Sequence, residues 1–271
     1  MGIFDGVLLI SDYDRTLTGT DPGHTVPERN LEAIARFVAE GGRFSVATGR
    51  GRIAFKHEGL LKLMNAPGIF SNGALVYDGA ADTVEEMLPL PEEAAPIIRA
   101  FRDTYAGRAG LEIYTTDRCY VFGSVAATER HMRLINIKTH EAPFDEVPKP
   151  WLKAVFSAET EILEEICAAI NSRHGHVLTA AISLPFLMEV QPRGVDKGRA
   201  VRRLHERLGT RRLICVGDAQ NDVTLLAAAD VAFVPEDGDP ELLEKYSGCA
   251  PCDEGAVADV IEKLESRFRS L

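Results

Sequence analysis

The 271-residue chain is short of several things that would place it outside the ordinary globular class. Its five cysteines are odd in number and irregularly spaced, which excludes a disulfide framework in a chain long enough to bury its own core. Cys249 and Cys252 form the single C-x-x-C, but it lacks the second half of a zinc site and is followed by Asp253 and Glu254. It reads as small residues near a strand end. No uncharged stretch approaches the roughly 18 apolar residues of a membrane span, and the first basic residue is Arg15, so no positively charged region opens a signal peptide. The expectation is a cytoplasmic protein with no membrane partner. Basic residues are also scarce, with 30 Lys plus Arg against 41 Asp plus Glu and a net charge of −11, which argues against nucleic acid as a partner. There is no Gly-Lys dipeptide for a P-loop kinase, no H-E-x-x-H for a zinc hydrolase and no G-x-S-x-G for a serine hydrolase. His174 and His176, flanking Gly175 between a helix and a strand, bear no metal spacing.

What remains is periodicity, since no internal repeat or low-complexity tract occurs. Gly6 to Ile10 is a short apolar run of the kind buried on both faces of a sheet, and it ends abruptly at Ser11-Asp12-Tyr13-Asp14. Thr25 and Glu28 have capping-box spacing ahead of a helix that carries Leu31, Ile34, Ala35 and Val38 inward and stops at Gly41-Gly42. A strand over 43–47, a helix over about 52–64 and a third strand over 68–71 come next. The grammar returns near the C-terminus: helix 197–208, strand 213–216, helix 221–228, strand 231–234 and a closing helix 256–268. Strand and helix alternating in this way predict an α/β fold with a Rossmann-like, doubly wound parallel sheet. The middle differs, because a helix over 92–105, strands 111–115 and 120–122, a helix over 126–137, a Pro-rich link and further closely spaced strands ending at 186–190 suggest an antiparallel sheet. The expected organisation is a discontinuous α/β core, residues 1–88 and 191–271, with an inserted α+β cap domain over 89–190.

In open α/β sheets ligands lie beyond the carboxyl ends of the strands. The first strand delivers Asp12 and Asp14 there, the second Thr48, and the strand ending at Val216 delivers Asp218 and Asp222, while Lys197 opens a helix packed alongside. Four converging carboxylates repel unless a hard cation neutralises them, and an all-oxygen set suits Mg²⁺. Mg²⁺ keeps positions for phosphate oxygens, which points to phosphoryl chemistry. One carboxylate can act as nucleophile and a second, two residues on, as general acid/base, with Lys197 and Thr48 holding the charge on the transferring group.

These residues carry a resemblance. Asp12-Tyr13-Asp14-Arg15-Thr16-Leu17, Thr48 within Ala47-Thr48-Gly49-Arg50, Lys197 within Gly194-Val195-Asp196-Lys197-Gly198, and Gly217-Asp218-Ala219-Gln220-Asn221-Asp222 resemble, in order, the four motifs of the haloacid dehalogenase-like phosphatases. Ser71-Asn72-Gly73-Ala74 and the insertion after it resemble the Cof-type members of subclass IIB. The resemblance implies that Asp12 is the nucleophile and a metal ligand, and that Asp14 is the general acid/base, with its carbonyl also on the metal. It implies that Thr48 and Lys197 bind the phosphoryl group, that Asp218 is a metal ligand, and that Asn221 and Asp222 support phosphate, lysine and metal-bound water, with Asp222 counted in the metal set. Gly49, Arg50 and Asn72 join the expected substrate-binding group. The implied substrate is a small phosphate ester, such as a sugar phosphate or a cofactor phosphate. Arg15 departs from the pattern, standing where the family usually has glycine; it implies either a changed loop or an added contact to an anionic substrate.

Rival readings leave residues unexplained. Gly49-Arg50-Gly51-Arg52-Ile53-Ala54 matches the G-x-G-x-x-A of a dinucleotide-dependent oxidoreductase, but that fingerprint expects an acidic residue about 20 positions on, where the chain has Ser71 and Asn72. A phosphorylated receiver-like module has little need of a large insertion that could exclude water. A phosphomutase shares the same core and the same aspartyl-phosphate.

Overall fold

Five consecutive buried residues, Val7–Ser11, form a strand covered on both faces. In the computed structural model, which describes residues 2–21, 23–55 and 57–269, that strand lies inside a five-stranded sheet. The sheet order is Ser247–Cys249, Val231–Pro235, Arg212–Val216, Val7–Ser11, Arg43–Val46, and every pairing is parallel. Side chains alternate across it. Leu8, Ile10, Leu213 and Cys215 pack with Ala200, Val201 and Leu204 of helix Lys197–Leu208 and with Leu225 of helix Val223–Ala228. Helices Glu28–Ala39 and Ala256–Arg269 pack on each other and bury Ile34, Phe37, Val260 and Ile261. Leu8, Leu9 and Ile10 are fully buried, and each contributes roughly 1.5–3 kcal/mol. The loop at their carboxyl end therefore hangs from a deeply buried strand paired on both sides.

The chain divides into two compact units: Met1–Gly49 with Lys56–Glu85 and Asp196–Leu271, and Arg50–Phe55 with Glu86–Val195. The second unit holds a six-stranded sheet in the order Leu178–Leu184, Leu187–Pro192, Lys153–Ser157, Gly110–Tyr114, Cys119–Phe122, Thr139–His140. Its pairings are antiparallel except the last, which is parallel. Helices Ala94–Thr104 and Thr160–His174 cover one face through Ala94, Ile98, Leu163 and Ile166. The fold is thus α/β with a parallel-sheet core and additional sheets.

Several local expectations are corrected. Thr25 does not cap the first helix: its hydroxyl and N–H both donate to the Asp21 carboxylate, and the helix begins after Pro27 without a side-chain cap. The helix expected over 52–64 is a 3₁₀ turn at Arg52–Ala54 and a separate helix, Glu58–Leu63, started by the His57 ring accepting from the Leu60 N–H. Lys56, between them, lies outside the described residues. Ile53, inside that expected helix, instead packs with Tyr114, Val155 and Leu187 in the second unit. The third strand, Gly68–Phe70, is joined to the parallel sheet by the Ala47–Ile69 bridge and pairs antiparallel with Leu75–Asp78, in a three-stranded sheet completed by Thr83–Met87. The last two strands have no counterpart in the sequence reading.

Candidate active site

The parallel register brings three strand ends to one rim. Ser11 is level with Val216 on one side and Val46 on the other, and the Asp12 N–H donates to the Val216 carbonyl at 2.8 Å. Asp12 and Asp218 therefore leave neighbouring strands side by side, with Thr48 just beyond Val46. The Thr48 backbone is pinned twice, its N–H donating to the Ile69 carbonyl and its carbonyl accepting from the Asn72 N–H.

Lys197 is the first residue of its helix and is 1% exposed. Its Nζ donates to Asp12 Oδ1 at 2.6 Å and to Asp222 Oδ1 at 2.7 Å. The other Asp222 oxygen accepts from the N–H groups of Asp218 and Ala219, so both oxygens of this fully buried carboxylate are engaged in holding the lysine and the 217–222 loop. Asp218 Oδ1 accepts from the Thr16 hydroxyl at 2.9 Å, a contact spanning 202 residues. Asp12, Asp218 and Asp222 can each present a carboxylate oxygen within 4.8 Å of the others.

Burial and the neighbouring Asp222 push the Asp12 carboxyl well above its ordinary value, with Lys197 opposing them. Burial and Asp222 likewise raise Asp218 to about 6, against the pull of the Thr16 hydrogen bond, Lys197 and Arg15. Burial alone would lower Lys197, but Asp12 and Asp222 outweigh it and keep the ammonium charged. Three carboxylates and one ammonium leave the pocket short of positive charge. A hard, all-oxygen donor set with excess negative charge fits Mg²⁺, which takes such ligands.

The remaining sequence candidates have different settings. The Asp14 carboxyl is outside the trio, is 38% exposed, and has His24 Nδ1 3.3 Å from its Oδ1. Gly49 lies against the Asn72 side chain, where an added Cβ would come within 3.0 Å of Asn72 Oδ1. Asn221 is exposed on the 3₁₀ turn Gln220–Asp222. Arg50 belongs to the 50–55 stretch grouped with the second unit. Arg15 takes φ 59° itself, so the loop keeps a left-handed residue without glycine. Cys249 ends a strand, and Cys252 donates its S–H to Asp237 Oδ2 and its N–H to Oδ1.

Two supports escaped sequence reasoning. Thr16 has no role in the sequence reading beyond its place in the first motif, although a hydroxyl two residues past a carboxylate pair is a signal. Gly73, at φ 104°, lets the 71–73 turn press on the carbonyl of Asp196, which a Cβ would meet at 2.6 Å. That contact fixes the residue immediately before Lys197.

The fold and this rim define an α/β enzyme built on a carboxylate-rich strand-end site. A model of the haloacid dehalogenase-like hydrolases matches residues 9–261, and the chain belongs to that family. The chain is 24% identical over 283 residues to a Bacillus subtilis 5-amino-6-(5-phospho-D-ribitylamino)uracil phosphatase, covering 94% of this chain and 96% of that protein. It is 26% identical over 259 residues to an HMP-PP phosphatase of Yersinia enterocolitica, covering 93% and 92%. A solved subclass IIB sugar phosphatase superposes with a TM-score of 0.81 at 18% identity, over 95% of this chain and 98% of its own. The family resemblance that the four motifs carry, and the Cof-type, subclass IIB resemblance that Ser71-Asn72-Gly73-Ala74 and the insertion carry, are borne out, and the chain is a hydrolase with phosphatases among its relatives. The dinucleotide reading falls with the 3₁₀ turn at 52–54, which offers no helix N-terminus to a pyrophosphate. Among the described residues no helix is long and apolar enough to cross a membrane.

Proposed function

We propose that this chain is a Mg²⁺-dependent phosphatase of small phosphorylated metabolites that works through an aspartyl-phosphate on Asp12. The observation that carries the reading is the placement of Asp12: a buried carboxylate at the end of the interior strand Val7–Ser11, held by Lys197 at 2.6 Å and flanked by Asp218. One Asp12 oxygen is bonded to lysine, which fixes the carboxylate and leaves its other oxygen to attack phosphorus. The bond to the ester oxygen breaks as the new O–P bond forms, and the Asp14 carboxylic acid gives that leaving oxygen its proton. Asp14 then takes a proton from the water that attacks the aspartyl-phosphate, releasing phosphate and restoring Asp12. Its partial exposure suits it to such exchange. Lys197 and the buried Thr48 hydroxyl would hold the equatorial oxygens.

Asp12, Asp218 and the Asp14 carbonyl would hold Mg²⁺, which supplies the positive charge that lets an anionic ester approach the carboxylates. Asp222, whose oxygens are both engaged, would act through Lys197 and the loop. Gly49, Arg50, Asn72 and Asn221 are assigned to the substrate, and the second unit is read as the cap that selects it. The relatives' names, a phosphoribityl compound, HMP-PP and sugar phosphates, support a small phosphorylated metabolite as substrate.

The test is phosphate release from a panel of small phosphate esters, with Mg²⁺ and with chelator, for wild type and Asp12→Asn. We expect release that needs Mg²⁺ and falls by at least about 10³-fold in the variant. Release that survives both changes overturns the mechanism. Silence in a folded, Mg²⁺-binding protein, with phosphoryl transfer between two sugar positions, would replace hydrolysis by a mutase reaction.

A further inference from the structure

The two cations of the site are not equivalent. Lys197 is buried, and its hydrogen bonds go to Asp12 and Asp222. The cation that faces Asp218 is Arg15, with Nε 3.9 Å from Asp218 Oδ2 and a side chain 59% exposed. Asp218 Oδ1 is already taken by the Thr16 hydroxyl, so consecutive residues of one loop approach the two oxygens of the same carboxylate. The backbone is set for this: Arg15 stands at φ 59°, a region that disfavours any side chain, and its N–H donates to Thr18 Oγ1 at 3.3 Å. A guanidinium cannot shed its charge, so a divalent ion arriving at Asp218 meets a cation that must move aside or be endured.

We infer that Arg15 is a competing counter-ion for Asp218, lowering the site's affinity for its divalent metal and thereby setting the metal concentration at which the site fills. The inference rests on the Mg²⁺ site proposed above. In the metal-free protein the guanidinium offsets part of the excess negative charge. Its long, mostly solvated stem gives it room to swing out when the metal binds, so the competition is moderate. A charge pair near 4 Å whose arginine is half-solvated has an effect of about three- to tenfold in affinity once a dication is one partner.

The experiment is calorimetric titration of MgCl₂ into the full chain, stripped with chelator and desalted, for wild type, Arg15→Gln, Arg15→Gly and Arg15→Lys. Glutamine keeps length without charge, glycine accepts the left-handed backbone, and lysine keeps the charge. We expect the glutamine and glycine variants to bind Mg²⁺ about three- to tenfold more tightly, lysine to stay within about twofold of wild type, and the differences to shrink in high salt. Wild-type affinity in Arg15→Gln overturns the inference and leaves the phosphatase reading intact. Tightening in glycine but not glutamine also overturns it, because loop geometry would then be the cause. Wild type that binds no Mg²⁺ removes the metal site itself, and this inference with it.

Discussion

The two units bury charge in opposite ways. In the second, Lys153 is 4% exposed with its Nζ 2.9 Å from Glu189 Oε1, and the fully buried Glu112 accepts from the Tyr114 hydroxyl and faces the His131 ring at 2.8 Å. Each carboxylate there has a partner of its own. In the first unit Asp12 and Asp222 share one lysine, and Asp218 leans on a hydroxyl and a half-solvated arginine. Both arrangements look alike in sequence, as acids and bases scattered among apolar residues. A matched cluster is finished as it stands, whereas an unmatched one keeps an excess of negative charge that the proposed Mg²⁺ would offset.

That contrast is open to test. Lys197→Met exposes two buried carboxylates to each other and should cost about 3–5 kcal/mol in urea unfolding, with Mg²⁺ recovering part of the loss. Lys153→Met strands one carboxylate and should cost less, about 1–3 kcal/mol, with no recovery by Mg²⁺. A larger loss at Lys153, or equal rescue, would erase the distinction. Gly73→Ala drives a Cβ into the Asp196 carbonyl from a left-handed backbone, and about 1–3 kcal/mol of destabilisation should come with a disproportionate fall in phosphate release as Lys197 shifts. Thr16→Val should cost about 1 kcal/mol and weaken Mg²⁺ binding a few-fold, since Asp218 loses the bond that orients it.

A further effect is in pH. Asp218 is raised to about 6 from an ordinary 3.8, so the folded protein holds this proton more tightly than the unfolded chain. Its contribution to stability is complete below the ordinary value and is lost as pH rises through 6. The metal-free protein should therefore melt lower at pH 7 than at pH 5 by this contribution, with Mg²⁺ narrowing the gap; a metal-free melting point that rises over this interval would contradict the assignment.

The parallel core and its rim were legible because unbroken apolar runs mark buried strands and their abrupt polar ends mark the rim. Asp12, Lys197 and Asp218 meet where the strand-end rule puts them. What sequence could not show was use: Ile53 falls inside an expected helix, but its partners are strands more than 50 residues away, and Thr25 has the spacing of a cap but finds the nearer carboxylate of Asp21. The hairpin strands Leu75–Asp78 and Thr83–Met87 lack a strong apolar signal because most of their length is not deeply buried. Gly73 was visible as a letter, but its role depends on a carbonyl 123 positions away.

The strand Val7–Ser11 pairs with Arg212–Val216, and Asp12 reaches Lys197 across 185 residues. In a chain growing from its N-terminus, almost everything between 86 and 195 exists before that strand can acquire its partner. Such distant pairings are slow to close, and the unpaired apolar strand is exposed while it waits. The contact of Asp12 with Lys197 thus forms only after the whole 86–195 segment has been made.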